Sequence, residues 1–240
     1  MESRYELIKR IGSGGYGAVF IAEHLGSSTL MAMKLLRGDP AATGQNKEAW
    51  KEVLSFHRAR QHANITPWYD YVTYSDTHNA IFMQLFDTDL WDFITNKSNR
   101  KDSLVIDVAL QSISGLAHLH SRKPTMIHRD IKPQNILIKL NRKTNAVVAK
   151  LSDFGISNII ESSGVFENLT MEQLASAYRS MVTTVGGRGT ILFLASEFFA
   201  AKDGRGLVNG RFRVDPTVDI FAMGLVYLYM FCYNTSEYGM

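Results

Sequence analysis

One short stretch, HRDIKPQN from His128 to Asn135, combines a carboxylate, cations and an amide. Asp130 could accept a proton from an incoming hydroxyl group, which requires a positioned carboxylate. Lys132 could contact a phosphoryl group, and Asn135 offers a neutral oxygen that suits Mg²⁺. Such a metal site should include a carboxylate, and Asp153 in SDFG supplies one 23 residues after Asp130. The two stretches together predict phosphoryl transfer to an alcohol.

The glycines of GSGGYG, Gly12, Gly14 and Gly17, match G-x-G-x-x-G, which alone admits three interpretations. The first is a tight hairpin. The second is a dinucleotide fingerprint, which must open a helix and needs an acidic residue about 20 positions later. Asp39 is near that distance, but the residues after the glycines, AVFIAEH, are typical of a strand. The third, a phosphate-covering loop between two strands, fits that strand best.

A phosphate-covering loop needs a nearby cation, and Lys34 in MAMK supplies it on the next strand. A lone lysine in a strand is ordinarily a solvated edge residue. Its position after the glycines favours a role at phosphate instead. A buried lysine also needs a carboxylate partner, for which Glu52 on the following helix is the first choice and Glu48 the second.

These residues must be positioned by a small sheet followed by helices. Alternating and β-branched runs predict strands, and spacings of three and four residues predict helices. We expect strands at 5–11, 18–24, 29–36, 68–74, 80–85, 136–139 and 147–151, and helices at 45–60, 90–95 and 103–121. Residues 156–189 lack periodicity and predict a long mobile loop.

Composition indicates an ordinary globular chain of 240 residues with 45% hydrophobic and 20% charged residues. The net charge of +3 gives no argument for nucleic acid as a partner. The single Cys232 excludes an internal disulfide, fits a reducing compartment and is expected to be a buried thiol. The polar start MESRYELIKR is unlike a signal peptide, and the apolar run 220–233 is too short to span a membrane. That run predicts a buried core helix.

In this order and spacing, GSGGYG, Lys34, HRDIKPQN and SDFG resemble the signature of the eukaryotic protein kinase family, serine/threonine type. The resemblance implies an α+β, bilobal protein kinase fold in one domain. Its N-lobe, 1–86, would be a small antiparallel sheet with one helix, and its mainly α-helical C-lobe would occupy 87–240. It implies transfer of the γ-phosphoryl group of ATP to Ser or Thr hydroxyls of protein substrates in the cytoplasm or nucleus. The implied catalytic residues are Asp130, Lys132, Lys34 and Glu52, and Mg²⁺ would be held by Asn135 and Asp153.

The same resemblance implies a nucleotide pocket. Val19, Ala32 and Leu137 would sandwich the adenine, Met83 would be the gatekeeper, and the hinge at Gln84, Leu85 and Phe86 would bond the purine through its backbone. The implied nucleotide-binding residues are Ile11, Gly12, Gly14, Gly17, Val19, Ala32, Lys34, Met83, Gln84, Phe86 and Leu137.

Residues 156–194 would form the activation segment. Arg129 could grip a phosphate added at Thr183 or Thr184 by an activating kinase or by self-phosphorylation. Thr190 in GRGT fits the serine/threonine class. The sequence departs from the family where Ala195-Ser196-Glu197 replaces Ala-Pro-Glu, and in 21 residues between Glu197 and Asp219 that include DGRGLVNGRFR. That insertion is either a surface excursion or a docking element.

The run VDIFAMGLVYLYMFCY resembles the central helix of the C-lobe, where Asp219 would brace the catalytic loop. The C-lobe would be truncated after it, exposing Tyr227, Tyr229 and Phe231. A fragment of a longer chain or a covering partner would account for this. HRDIKPQNILI, DFGIS and VDIFAMG also resemble the kinase domains of unfolded-protein-response sensors.

A second hypothesis is a catalytically weak nucleotide-binding scaffold or allosteric, pseudokinase-like module. The presence of Lys34, Asp130, Asn135 and Asp153 favours the active enzyme over it. A third, an NAD-dependent oxidoreductase, depends on the glycines alone and conflicts with the predicted strand.

Overall fold

A computed structural model gives the structure of the chain. It describes residues 4–14, 17–37, 55, 57–59, 61–75, 78–96, 101–141, 143–144, 146–154, 158–160, 168–169, 207–208, 211–213 and 215–232, and the structural statements below concern these residues.

The N-terminal part is one antiparallel sheet of five strands in the order β1-β2-β3-β5-β4. The strands are β1 (Tyr5–Gly14), β2 (Gly17–His24), β3 (Thr29–Arg37), β4 (Trp68–Ser75) and β5 (His78–Gln84). Each agrees with a predicted strand to within a few residues, and the glycine motif joins β1 to β2 as expected. Residues 55 and 57–59 are helical, within the predicted first helix.

Side chains on β3 alternate between the two faces of this sheet, as the pleat requires. Met31 and Met33 pack with Phe82 in a small cluster on one face. Ala32 and Leu36 belong to the main core on the other face. Lys34 lies between them in the alternation, so its buried side chain extends from the face that adjoins the main core.

Within the described residues, the second part contains three helices around that core: α1 (Leu90–Thr95), α2 (Asp102–Ser121) and α3 (Thr217–Cys232). Asp89 caps α1 by accepting a hydrogen bond from the amide of Asp92 at 2.9 Å. The predicted apolar face of α2 is buried as expected: Val105, Val108, Ala109, Ser112, Leu116 and Leu119. A helical spacing therefore located both the helix and its core face.

Short strands complete the second part. A three-stranded sheet, in the order β6-β8-β9, consists of β6 (Thr88–Asp89), β8 (Ile136–Asn141) and β9 (Ala146–Leu151). A single 3-10 turn, Pro133–Asn135, leads into β8. Strand β7 (Thr125–Ile127) pairs with β10 (Asn158–Ile160). The α+β class is confirmed.

The predicted long loop over 156–189 is partly wrong, because it contains β10 and β11 (Asn168–Leu169). The insertion contributes a hairpin, β12 (Leu207–Val208) and β13 (Arg211–Arg213). Its second strand pairs with β11, in a sheet of order β11-β13-β12. Strands of two or three residues are too short to show a side-chain periodicity. Their backbone pairing was therefore not detectable in the sequence.

Two expectations about α3 need correction. Cys232 is exposed, not buried, because it lies at the end of the helix. Tyr227 and Tyr229 are partly buried: the Tyr227 hydroxyl donates to the Ala109 carbonyl at 2.6 Å, and the Tyr229 ring stacks on Trp91. Phe231 is half-exposed, as predicted. Among the described helices, none has the length and apolar character needed to cross a membrane.

Candidate active site

The residues of HRDIKPQN form one compact, buried group before β8. The Lys132 ammonium donates to Asp130 Oδ2 at 2.7 Å, and Asn135 Nδ2 donates to the same oxygen at 2.8 Å. Asn135 Nδ2 also reaches the backbone carbonyl of Asp130 at 2.7 Å. All three side chains are at most 6% exposed. The structure thus places Asp130, Lys132 and Asn135, which the sequence assigned to one site, in direct contact.

His128 connects this group to the end of β9. Its Nδ1 accepts the Asp130 backbone amide at 3.3 Å, so Nε2 carries the ring proton and donates it to the Ser152 carbonyl at 3.0 Å. Ser152 also donates its amide to the Asn135 carbonyl at 2.9 Å. These bonds fix the position of Asp153, the next residue, relative to Asp130.

Asp219 of α3 binds the backbone of the loop that contains His128 and Arg129, as the sequence predicted. Its two carboxylate oxygens accept the amides of His128 and Arg129, each at 2.7 Å. His120 of α2 donates from Nε2 to Asp219 Oδ2 at 2.9 Å. Arg129 has a positive φ of 68°, which is uncommon for a residue with a side chain. The two bonds to Asp219 stabilise that strained backbone.

Asp153 lies directly opposite Lys34. The Lys34 ammonium donates to Asp153 Oδ1 at 2.7 Å, and Asp153 also has a positive φ, of 63°. The Lys34 side chain is 9% exposed and that of Asp153 is 30% exposed. This contact brings the N-terminal sheet and the end of β9 to one site, next to the buried ring of Phe154.

The two carboxylates have opposite pKa shifts. Burial raises the pKa of Asp130, the Lys132 charge opposes that rise, and the charge of Asp153 adds to it. Burial would also raise the pKa of Asp153, but the charge and hydrogen bond of Lys34 outweigh it and lower that pKa. Asp130 is therefore the carboxylate suited to exchange a proton, and Asp153 the one suited to stay ionised near a cation.

The donor set would suit a magnesium ion beside bound phosphates. Both described hydrogen bonds of the Asn135 amide use Nδ2, so Oδ1 stays available, and Asp153 bonds Lys34 through Oδ1 alone. Within the described residues, no group of three or more His, Cys, Asp or Glu side chains is arranged to hold a metal ion by itself. One carboxylate and one amide oxygen match the sparse protein ligation that Mg²⁺ uses beside substrate phosphates.

Residues of the predicted adenine pocket lie on β2, β3, β5 and β8. Val19 pairs with Lys34, and Ala32 pairs with Met83, in neighbouring strands. Leu137 on β8 is partly exposed, whereas Met83 and Ala32 are buried. A Cβ atom at Gly12 would meet only Val19 Cβ, at the ordinary distance of 3.8 Å. Protein packing therefore does not require this glycine.

Comparison with known proteins identifies the chain. The family described as protein kinase domain matches residues 5–238. The chain belongs to the protein kinase family. It is 24% identical over 229 residues to the carbon catabolite-derepressing protein kinase of Candida tropicalis, covering 95% of this chain and 31% of that protein.

Two similar relatives carry the same name. The Candida albicans protein is 23% identical over 229 residues, covering 95% of this chain and 32% of its own length. The Candida glabrata protein is 24% identical over 228 residues with the same coverages. This kinase chain thus spans about a third of the length of the curated relatives it matches. None of these three is named as an unfolded-protein-response sensor, so that likeness stays a prediction.

Several predicted residues of this kinase lie outside the described residues. They include both candidate partners of Lys34, Glu52 and Glu48, and the phosphosite candidates Thr183 and Thr184. Gly14 and Gly17 are described through their backbone, in β1 and β2. Ile11 is half-exposed, and Gln84, Leu85 and Phe86 are partly buried.

Sequence reasoning missed several residues that hold the kinase site in place. His120, Ser152 and Asn64 each bond to it or to β9, at separations that no local pattern reveals. Asn64 Nδ2 donates to the Ala149 carbonyl at 3.0 Å, and the backbone carbonyl oxygen of Asn64 accepts the Leu151 amide at 2.9 Å. Gly115 on α2 packs so closely on Asn64 that a Cβ atom would lie 2.6 Å from its carbonyl oxygen. A glycine inside an otherwise regular helix was the one available signal.

Proposed function

We propose that this chain is a serine/threonine protein kinase that uses ATP and Mg²⁺. The observation that carries the proposal is the convergence of Asp130, Lys132 and Asn135 within hydrogen-bonding distance, beside the Lys34–Asp153 pair. Binding of a nucleotide alone would not need a buried carboxylate with a raised pKa. Transfer to a hydroxyl does need such a proton acceptor.

In the proposed reaction, the substrate hydroxyl loses its proton to the Asp130 carboxylate as its oxygen bonds to the γ-phosphorus. The bond between that phosphorus and the bridging oxygen breaks, and ADP leaves. Lys132 stabilises the negative charge of the transferring group, and Lys34 that of the remaining phosphates. Bound Mg²⁺, held by Asn135 and Asp153, would neutralise phosphate charge.

Further roles complete the proposal. Glu52 would orient Lys34, and Val19, Ala32 and Leu137 would enclose the adenine. Met83 would limit the depth of the pocket, and the backbone of 84–86 would bond the purine. We also propose regulation by phosphate at Thr183 or Thr184, gripped by Arg129.

The serine/threonine preference is supported by Lys132 in its position two residues after Asp130. The identity to the named relatives is too low to define the protein substrate more closely. Protein substrates that present Ser or Thr, and a cytoplasmic or nuclear location, stay predictions. So does the division into lobes at residues 86 and 87.

The test is transfer of labelled phosphate from ATP to a Ser, Thr and Tyr peptide library, with and without Mg²⁺. Asp130→Asn keeps the shape of the side chain but removes its basic oxygen, and should reduce transfer by about 100-fold or more. Asp107→Asn, on an exposed position of α2, is the matched control and should leave transfer unchanged.

Full-rate transfer by Asp130→Asn would contradict the assignment of the base. Labelling of Tyr peptides alone would contradict the substrate class. A wild-type chain that binds nucleotide but labels no peptide would instead support the catalytically weak scaffold.

A further inference from the structure

A second cleft of about 380 Å³ lies apart from the proposed catalytic residues. It is lined by Gln61, His62 and residues 65–69, which lead into and begin β4, and by Lys150 of β9. None of its lining residues is assigned above to nucleotide, metal or catalysis. Its volume lies within the range of small-molecule sites, about 300 to 1,000 Å³.

The cleft contains one cationic side chain, Lys150, for which the described part of the chain supplies no ion pair. Lys150 is partly buried, and none of the eight described residues that line the cleft is acidic. The described structure gives its ammonium group no hydrogen bond or ion pair. Burial lowers the pKa of Lys150, which shows that its surroundings disfavour the charge as they stand. An anion bound here would reverse that.

His62 adds a neutral donor to the cleft. Its Nδ1 accepts the Asn64 amide at 3.1 Å, so Nε2 carries the proton. The ring stacks on His118 with 4.6 Å between centroids. Burial, followed by the charges of His118 and Lys150, lowers the pKa of His62. The ring is therefore held as an uncharged N–H donor.

Thr66 supplies the observation that points to a ligand. Its side chain is 1% exposed, and its Oγ1 is buried with no hydrogen-bond partner among the described residues. Its backbone amide is already used, by the Leu151 carbonyl at 2.9 Å. Buried hydroxyl groups are nearly always hydrogen-bonded, because losing water without compensation is costly. A bound acceptor would satisfy this one.

The remaining walls are apolar. Ile65 is almost fully buried, Pro67 and Trp68 are partly buried, and the ring of Tyr69 is half-exposed. Hydrogen-bond donors line one part of the cleft, and flat apolar side chains line another. This combination matches a ligand with an anionic head group and a planar apolar body. A single cation matches a monoanion better than a doubly charged phosphate, which is ordinarily met by several cationic groups.

We propose that this cleft binds a small organic carboxylate with a planar apolar body, through Lys150, His62 and Thr66 against Trp68. The carboxylate accepts from the ammonium, the imidazole N–H and the hydroxyl, and the body packs on the indole. The site shares no residue with the proposed kinase reaction.

Binding of 2-naphthoate to the purified chain, measured by calorimetry with excess ADP and Mg²⁺ present, tests this proposal. The neutral isostere 2-naphthamide should bind at least about tenfold more weakly, because it lacks the charge. Lys150→Gln should weaken naphthoate binding by about tenfold or more, and Thr66→Val by about threefold to fivefold. Lys143→Gln removes the same charge from an exposed turn and should change the affinity less than about twofold.

Lys150→Arg keeps the charge and should bind naphthoate within about threefold of wild type, which separates a lost charge from a lost fold. Several outcomes would overturn the proposal: no naphthoate binding, equal affinity for the acid and the amide, or unchanged affinity in Lys150→Gln. A naphthoate affinity that is much higher in a titration without ADP than in the titration with excess ADP would assign the binding to the nucleotide site instead. Displacement by millimolar inorganic phosphate would contradict the preference for a carboxylate.

Discussion

The ammonium group of Lys34 lies 2.7 Å from Oδ1 of Asp153, although 119 positions separate the two residues. The contact places a charge from the N-terminal sheet beside the carboxylate that ends β9. It is also what lowers the pKa of Asp153 against the effect of burial. The proposed metal carboxylate is thus kept ionised by the proposed phosphate-binding lysine.

Replacing Lys34 should therefore impair phosphoryl transfer. Lys34→Met keeps most of the apolar stem and removes the charge, and we expect kcat/KM for peptide phosphorylation to fall by about 100-fold or more. Lys139→Met is the control, because the Lys139–Asp87 ion pair is exposed and contributes little. A Lys34→Met enzyme with wild-type kcat/KM would remove Lys34 from the mechanism.

Lys132 should set the acid limb of the pH–rate profile. Asp130 must be ionised to accept a proton, so activity falls as the pH drops through its raised pKa. The Lys132 charge lowers that pKa, and its removal should raise it further. We expect Lys132→Met to move the acid limb of kcat/KM to higher pH, whereas Lys139→Met should leave the limb in place. A limb that stays put or moves to lower pH would contradict this.

Asp219 should stabilise the folded chain as well as the catalytic loop. Asp219→Ala leaves the buried amide of His128 and that of Arg129 without acceptors. At about 1–3 kcal/mol for each of the two unsatisfied groups, the free energy of unfolding should fall by about 2–6 kcal/mol. Urea unfolding measures it, with the exposed Asp107→Ala as control, for which we expect a change within about 0.5 kcal/mol. A similar small change for Asp219→Ala would show that water replaces the carboxylate.

Two helical glycines should respond to alanine with opposite signs. Gly115→Ala on α2 places a Cβ 2.6 Å from the Asn64 carbonyl oxygen, so backbone must shift and stability should fall by about 1–3 kcal/mol. Gly224→Ala on α3 meets nothing within 4 Å and should raise stability by about 0.5–1 kcal/mol. Thermal unfolding of both variants measures the contrast, and a stabilised Gly115→Ala would disprove the close packing.

The sheet and the grouping of the proposed catalytic residues were predictable because their signals are local. The apolar run 29–36 located β3, and its position after the glycine motif pointed to a role at phosphate for Lys34. The spacing of α2 gave its core face, and HRDIKPQN placed its own members within eight residues, where one turn can bring them together.

Apart from the Asp219 contact, which the family resemblance implied, contacts between distant segments were not predictable, since nothing in the sequence names the partner of a given residue. The bond from His120 to Asp219 crosses 99 positions and depends on how α2 meets α3. Tyr227 was expected to be exposed, yet its hydroxyl finds the Ala109 carbonyl, and burial raises its pKa to about 12. The apolar run that contains Tyr227 did not indicate that α2 would pack against it.

The small sheet of β11, β12 and β13 ties together two distant parts of the chain. Leu169 pairs with Phe212, and Phe212 pairs with Leu207, so residues 170–206 leave one sheet and return to it. Strand β13 of the insertion pairs with both neighbours and so keeps the two ends of that segment close together. The segment contains both phosphosite candidates, Thr183 and Thr184. The two ends of the segment, Leu169 on β11 and Leu207 on β12, lie on the outer strands of this sheet, two inter-strand spacings apart.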